Sequence, residues 1–185
     1  MLNLEIPPDL VVKLERELIR ARQREIGGVL VGEHRGRNSF RIVDLSVQRH
    51  GGDAACFVRQ PAHHKRFLDA FFARTGDDYM RCNYLGEWHS HPSFSLDPSG
   101  TDCLQMLKIV TDGPDAPPFA VLLIVRLGAD RRVMLSATAF HDDGTAASVR
   151  LRVQARPDGD PPVTDGGWLS RLFGPPTVNP VRRLI

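Results

Sequence analysis

The sequence predicts an α+β fold, an α/β sandwich in which helices flank a mixed β-sheet. Helical and strand-like segments follow one another in the order helix, β-hairpin, helix, strand, helix, strands, which is typical of such a domain. The segment FAVLLIVRL at 119–127 is nearly all apolar, which indicates a central strand. Apolar residues make up 42% of the 185 residues, a share typical of a chain that folds around its own core.

The individual elements follow from the spacing of apolar residues and from the turn residues between them. The predicted elements are a helix at 9–23, strands at 27–36 and 37–47, a short strand at 56–60 after a loop at 51–53, a helix at 61–75, a strand at 79–91, a helix at 99–113, and strands at 119–127, 133–140 and 149–153. Asp9 can cap the first helix, and a turn at 35–38 closes a hairpin. The residues expected on the apolar faces of the three helices are Leu10, Leu14, Leu18 and Ala21, then Phe67, Ala70 and Phe71, then Leu104, Leu107 and Val110.

The composition changes after Arg156, where proline and glycine become frequent. We therefore predict a folded domain at 1–155 and a Pro/Gly-rich C-terminal tail at 156–185. A short apolar patch interrupts this tail, and it either docks on the domain or binds a partner. The patch consists of Trp168, Leu169, Leu172 and Phe173.

Charge and cysteine content narrow the class of protein. The net charge is +2 and the basic residues are dispersed, so binding to nucleic acid is not expected. No apolar run approaches ~18 residues, which argues against a membrane span, and the first residues, MLNLEIPPDL, do not resemble a signal peptide. Three cysteines without a CxxC pair, namely Cys56, Cys82 and Cys103, favour reduced thiols and a cytoplasmic location.

The segment GEWHSHPSFSLDPSGTD at 86–102 carries the candidate chemistry. Alternate residues of a strand face the same side, so His89 and His91 can aim both imidazoles at one point. Asp102, in the first turn of the next helix, could add a carboxylate, and two histidines with one carboxylate are a frequent ligand set of catalytic zinc. A second interpretation needs no metal, because Ser99-x-x-Asp102 before an apolar run also predicts a helix capping box.

The spacing His89-x-His91-x7-Ser99-x2-Asp102, with Pro92 after the second histidine, resembles the motif of the JAMM metalloproteases, also called the JAB or MPN+ family. A glutamate before a glycine-containing strand completes that motif, and Glu25 in REIGGVLVGE stands in this context. The similarity covers most of residues 1–140. It implies a JAB/MPN-type fold, which is cytidine-deaminase-like.

The resemblance also implies a role for each motif residue. His89, His91 and Asp102 would hold Zn²⁺, Glu25 would act as general base and proton shuttle, and Ser99 would donate a hydrogen bond to the oxyanion.

Neighbouring residues of similar type receive other interpretations. Glu33 and Glu87 are rival carboxylates, and Glu87 could share a face with His89. Trp88 should point away from the metal into the core. His63 and His64 are interpreted as solvated or capping residues.

The resemblance implies a zinc-dependent isopeptidase or peptidase that cleaves after the C-terminus of a bacterial ubiquitin-like protein, for deconjugation or precursor processing. An extended substrate tail could lie beside an exposed sheet edge. Activating- and conjugating-enzyme-like proteins from the same operon, antiphage operons among them, are possible partners. Two alternatives stay open: a peptidase that processes a sulfur-carrier protein, and a non-catalytic MPN scaffold that binds partner proteins.

Overall fold

Eight strands form one mixed sheet in the computed structural model, which describes residues 1–49 and 60–153. Three helices accompany the sheet, so the α+β class is confirmed. The elements are β1 (Asn3–Ile6), α1 (Pro8–Ala21), β2 (Gly27–Gly36), β3 (Ser39–Leu45), α2 (Pro61–Arg74), β4 (Cys82–Ser90), α3 (Gly100–Thr111), β5 (Phe119–Leu127), β6 (Val133–His141), β7 (Ala146–Ser148) and β8 (Arg150–Val153).

The sheet is curled so that its two edges meet. Its strand order is β7-β6-β5-β4-β2-β3-β1-β8, with parallel pairs β1–β3, β1–β8 and β4–β5. β7 and β8 lie at opposite ends of this order, yet only Val149 separates them in the chain. The N–H of Val149 donates to the carbonyl of Ala137 on β6, and the N–H of Arg150 donates to the carbonyl of Leu2 beside β1. One continuous segment, 146–153, therefore joins both edges.

Two apolar clusters cover the two faces of the sheet, and β5 contributes to both. Its residues Val121, Leu123 and Val125 belong to the larger cluster with α1, whereas Ala120, Leu122 and Ile124 pack in the smaller cluster with α3. Because successive side chains of a strand point to opposite faces, an all-apolar strand must be buried on both faces. The predicted central position of 119–127 is confirmed.

A bulge in β4 sets which of its side chains face α3. Leu30 of β2 pairs with Gly86 and Val31 pairs with Tyr84, so β4 has one extra residue, Leu85, at this point. Beyond the bulge Trp88 joins the α1 cluster and donates from Nε1 to the carbonyl of Ser46 at 2.8 Å. Glu87, His89 and His91 therefore lie on the opposite face from Trp88.

Several details of the predicted elements are wrong. β1 and β7 were not predicted, and the strand predicted at 79–91 is shorter, Cys82–Ser90. Asp9 does not cap α1, because the N-cap is Pro7 and makes no side-chain cap. Ala70 and Leu104 are exposed, and Leu104 is 62% exposed because Met106 and Val110 form the buried face of α3. The apolar face predicted for α1 is confirmed.

Some predictions fall outside the described residues. The loop at 51–53, the strand at 56–60, Cys56 and the tail at 156–185 are among them. Within the described residues Cys82 and Cys103 form no disulfide. No helix in this part of the chain is long and apolar enough to cross a membrane.

Candidate active site

Three potential metal ligands meet at the end of β4. The Nε2 atoms of His89 and His91 lie 3.0 Å apart, and the nearer oxygens of the Asp102 carboxylate lie 3.4 and 3.7 Å from them, respectively. A tetrahedral Zn²⁺ with ligand bonds of about 2.0–2.1 Å holds its ligand atoms about 3.3 Å apart. The three residues therefore fit such an ion, and a fourth position would remain for water or substrate.

The hydrogen bond of His91 orients its ring for metal binding. Its Nδ1 lies 2.7 Å from the carbonyl of Ser95, which can only accept a hydrogen bond, so Nδ1 carries the proton. The lone pair of the neutral ring is then on Nε2, the atom that faces His89 and Asp102. Burial lowers the pKa of His91, but the Asp102 carboxylate and the carbonyl of Ser95 outweigh this effect and raise the pKa, so a metal ion at Nε2 would take the place of a proton.

Asp102 reaches the histidines because of its position on α3. Asp102, Met106 and Val110 are spaced four residues apart, so the carboxylate lies on the same stripe as the residues that pack against the sheet. Burial raises the pKa of the Asp102 carboxyl, but hydrogen bonds from His89 and His91 outweigh this effect and hold the pKa well below its ordinary value. The carboxyl is therefore ionised, as a metal ligand must be.

The predicted capping box of Ser99 and Asp102 is confirmed, and Asp102 also belongs to the cluster of potential metal ligands. The backbone N–H of Ser99 donates to Oδ2 of Asp102 at 2.7 Å, and the backbone N–H of Asp102 donates to Oγ of Ser99 at 3.1 Å. The capping box thus fixes the carboxylate that faces the histidines. Because Ser99 accepts this bond, its hydroxyl proton remains available for donation into the cleft.

Glu25 opens into the same cleft as the three potential ligands. The cleft has a volume of about 470 Å³, and its lining includes Glu25, His89, His91, Ser99 and Asp102. Glu25 is only 6% exposed and interacts electrostatically with His91, but it is not part of the three-residue cluster. The structure therefore brings together all five residues of the motif.

Ser90 connects Glu25 to the histidine strand. The residue after Glu25, Ile26, donates its backbone N–H to Oγ of Ser90 at 3.0 Å and accepts from the backbone N–H of Ser90 at 2.8 Å. Ser90 is fully buried and stands between the two histidines. Ser90 was not predicted as a site residue, and its only signal in the sequence is its place in HSHP between two candidate ligands.

The loop that follows His91 is fixed by side chains from three elements. Ser93 Oγ donates to Gln23 Oε1 at 2.9 Å, beyond the C-terminal end of α1. Arg126 of β5 donates from Nη1 to the carbonyl of Phe94 at 3.0 Å, and Ser136 of β6 donates to the carbonyl of Leu96. With the bond from His91 to Ser95, these contacts make one wall of the cleft rigid.

The rival residues lie elsewhere. Gly27 of β2 pairs with His89, and Glu33 lies six residues further along the same strand, about 20 Å from Gly27. Glu33 instead forms ion pairs with Arg81 and Arg35. The hydrogen bond from Arg81 lowers the pKa of Glu33, and burial opposes this shift only in part. Glu87 shares the face of His89, but lines a separate cavity of about 580 Å³ beside α3.

His64 is not the solvated or capping residue that was predicted, whereas His63 is exposed as predicted. His64 is 1% exposed, with Nδ1 2.8 Å from Ser46 Oγ and Nε2 3.1 Å from Gln48 Oε1. Ser46 Oγ also accepts the backbone N–H of Val29 on β2. A side chain at Gly28 would collide with the carbonyl of Ser46, so only glycine permits this close approach. The network joins α2 to the strand that follows Glu25.

Comparisons with known proteins agree with this geometry. A family model described as prokaryotic homologs of the JAB domain matches residues 7–138. A curated relative from Vibrio cholerae, named CD-NTase/cGAS isopeptidase, is 38% identical over 80 residues, which cover 42% of this chain and 49% of that relative. A second, from Enterobacter hormaechei and of the same name, is 26% identical over 158 residues and covers 81% of each chain.

A solved structure shares the fold. The solution structure of protein DSY2949 from Desulfitobacterium hafniense matches with a TM-score of 0.55 and 16% identity, over 83% of this chain and 94% of that one. The family model spans well over half of the sequence, and the five residues of the predicted motif line one cleft. The chain therefore belongs to the prokaryotic JAB-domain family.

Proposed function

We propose that this protein is a zinc-dependent isopeptidase of the JAMM type. The observation that carries the proposal is the meeting of His89 Nε2, His91 Nε2 and the Asp102 carboxylate at the spacing of a tetrahedral metal, with Glu25 in the same cleft. A three-ligand site with an open position is typical of catalytic rather than structural zinc. When bound there, Zn²⁺ would polarise the scissile carbonyl and activate the attacking water.

The residues around the cluster take the remaining roles. Glu25 would accept the proton of the attacking water on its carboxylate and pass it to the nitrogen of the leaving amine. Ser99 would donate a hydrogen bond from its hydroxyl to the developing oxyanion, because its Oγ already accepts the N–H of Asp102 and is thereby oriented. The wall at 92–96, pinned by Arg126 and Ser136, would keep the cleft in one shape during the reaction.

The names of the two curated relatives favour an isopeptide bond as the substrate. We therefore propose that the protein removes a ubiquitin-like protein, or a CD-NTase attached in the same way, from lysine side chains of target proteins. Activating- and conjugating-enzyme-like proteins that form such conjugates would be its functional partners. The same names favour deconjugation over processing of a sulfur carrier. A purely scaffolding role would not explain why the three potential ligands and Glu25 meet in one cleft.

The modifier's tail would lie along α3 rather than on the edge of β4. β4 is paired on both sides, with β2 and with β5, so its edges are not available for an added strand. The cavity that contains Glu87 shares Gln105 with the catalytic cleft and continues beside α3. A tail that enters there would bring its last carbonyl to Ser99.

Cleavage of a defined conjugate tests the proposal. A ubiquitin-like protein joined through its C-terminal carboxyl to the Nζ of a lysine would be incubated with wild type, with Glu25→Gln, and with wild type stripped of metal by a chelator. We expect wild type alone to release the modifier with a free C-terminus, as read by mass spectrometry, and zinc to restore the stripped enzyme. Cleavage by Glu25→Gln at the wild-type rate would refute the assigned mechanism.

A further inference from the structure

Three arginines lie on segments that contact the loop after His91, which carries an exposed aromatic ring, Phe94, at the catalytic cleft. Gln23 contacts Ser93 in the loop after His91, and the residues on either side of Gln23 are Arg22 and Arg24. From the other side Arg126 binds the carbonyl of Phe94 in the same loop. We call Arg22, Arg24 and Arg126, together with Phe94, the basic rim.

The charge of the basic rim is not neutralised by neighbouring acids. Across residues 1–49 and 60–153 none of its three arginines takes part in an ion pair, whereas Arg20 and Arg49 nearby share the carboxylate of Glu17. Arg22 and Arg24 are exposed. A guanidinium presents a planar fork of donors that matches a carboxylate, so the rim is suited to acidic side chains.

Phe94 adds an apolar centre to the rim. Its side chain is 51% exposed although it lines the catalytic cleft, and its ring meets the ring of His91 edge-on, with centroids 6.3 Å apart. The bond from Arg126 to its carbonyl holds the backbone in place. A fixed aromatic ring in water at the mouth of a cleft offers apolar surface to a bound chain.

The cavity that shares Gln105 with the cleft has the reverse charge. The cavity beside α3 is lined by the acids Glu87, Asp112 and Asp115 and by one base, Lys108. The catalytic cleft thus lies between an acidic groove and a basic rim. Such a polarity distinguishes the two ends of a bound substrate.

The proposed chemistry relates each side to one part of the conjugate. Ser99 at the start of α3 would face the carbonyl oxygen, so the modifier's tail belongs on the α3 side. Glu25 would hand its proton to the leaving amine, so the target lysine belongs beside Glu25. Arg24 immediately precedes Glu25 in the chain, which places the basic rim on the target side.

We infer that the basic rim docks the target protein and favours lysines that have acidic neighbours. This inference rests on the proposed isopeptidase function and adds a preference for the target to it. An acidic segment of a protein is favoured over nucleic acid, because the rim is small and lies at the mouth of a peptidase cleft.

The test compares two conjugates that differ only in the target. In both, a ubiquitin-like protein is joined to the lysine of a short synthetic peptide. The peptide has Asp and Glu beside the lysine in one conjugate, and Asn and Gln in the other. The enzymes are wild type, the double variant Arg22→Glu/Arg24→Glu, and the matched control Arg37→Glu/Arg150→Glu. The control makes the same change in net charge at exposed positions on the far end of the sheet.

We expect wild type and the control to cleave the acidic conjugate with a kcat/KM about 10-fold above that of the neutral one. Arg22→Glu/Arg24→Glu should lose this preference, as judged by the ratio of the two kcat/KM values measured with the same enzyme. The preference should also shrink as the ionic strength rises to about 0.5 M. Equal preference in all three enzymes would overturn the inference and leave the isopeptidase function intact.

Two further outcomes are distinguishable. If wild type with bound zinc cleaves neither conjugate, the proposed function fails, and the inference about the target fails with it. If the double variant keeps the preference for acidic targets but loses binding to a single-stranded DNA probe that wild type retains, the rim binds nucleic acid and the inference is wrong.

Discussion

Replacement of Ser90 by alanine should separate the positioning of Glu25 from the binding of metal. The substitution leaves the backbone bond between Ser90 and Ile26 in place, but it removes the hydroxyl that accepts the Ile26 N–H at 3.0 Å. A buried donor left without an acceptor costs about 1–3 kcal/mol. For a chain of this size that is a fall in Tm of about 2–12 °C.

The effect on catalysis should exceed the effect on stability. Ile26 follows Glu25 directly, so a shift of the Ile26 amide moves the carboxylate to which we assign the proton transfer. A displacement of about 1 Å can lower a rate by about 100-fold, and we expect a loss in kcat approaching that size. Zinc content should stay at the wild-type level, because His89, His91 and Asp102 are unchanged.

Ser46→Ala is the matched control. It also removes a buried serine hydroxyl that accepts a backbone N–H of β2, that of Val29 at 2.9 Å, but four residues from Glu25. Its thermal stability should fall by at least as much, since His64 loses a partner too, while kcat stays within about 3-fold of wild type. The reasoning is refuted if both variants lose the same fraction of kcat, or if Ser90→Ala retains wild-type turnover.

Three other predictions concern single substitutions. Ser99→Ala should reduce kcat by about 100- to 1,000-fold through loss of the oxyanion donor, and a wild-type kcat in steady-state cleavage would contradict that role. His64→Leu should lower the free energy of unfolding by about 1–3 kcal/mol in urea titrations, whereas His63→Leu, at an exposed position, should change it by less than about 0.5 kcal/mol. Arg49→Ala should destabilise the protein more at pH 7 than at about pH 3, because the hydrogen bond from Arg49 lowers the pKa of Glu17 despite its burial. A carboxyl with a lowered pKa stabilises the fold fully above its unfolded pKa of about 4.3, and this stabilisation is lost as the pH falls towards the folded pKa. Equal destabilisation at both pH values, measured by urea unfolding, would contradict this prediction.

The sequence predicted those elements whose periodicity is local. α1 shows its buried face in every turn, and β5 is apolar throughout, so both could be recognised without knowledge of their neighbours. β1 has four residues and pairs with β3 and β8, which are distant in the chain, and β7 has only three residues, so neither shows a pattern long enough to recognise. The buried face of α3 was misjudged at Leu104, because the sheet, not the helix, decides which stripe is covered.

In the candidate site, too, residues with a local sequence signal were predicted, whereas those whose role depends on the fold were missed. The spacing of His89 and His91 on one strand, and the family motif that includes Glu25, led to residues that the structure places in one cleft. His64 was misinterpreted because a polar residue on a helix is usually solvated, and only the folded chain supplies Ser46 and Gln48 as its partners. The basic rim likewise comes from three segments that are distant in sequence.

The central claim is that three residues form a single catalytic metal centre in which Glu25 takes no part as a ligand. Zinc stoichiometry by elemental analysis tests it most directly, on wild type, Glu25→Gln and Asp102→Ala purified in parallel with zinc present. We predict one zinc per chain in wild type and in Glu25→Gln, and a large loss in Asp102→Ala. Wild type without zinc, or Asp102→Ala with full and tightly bound zinc, would contradict the account.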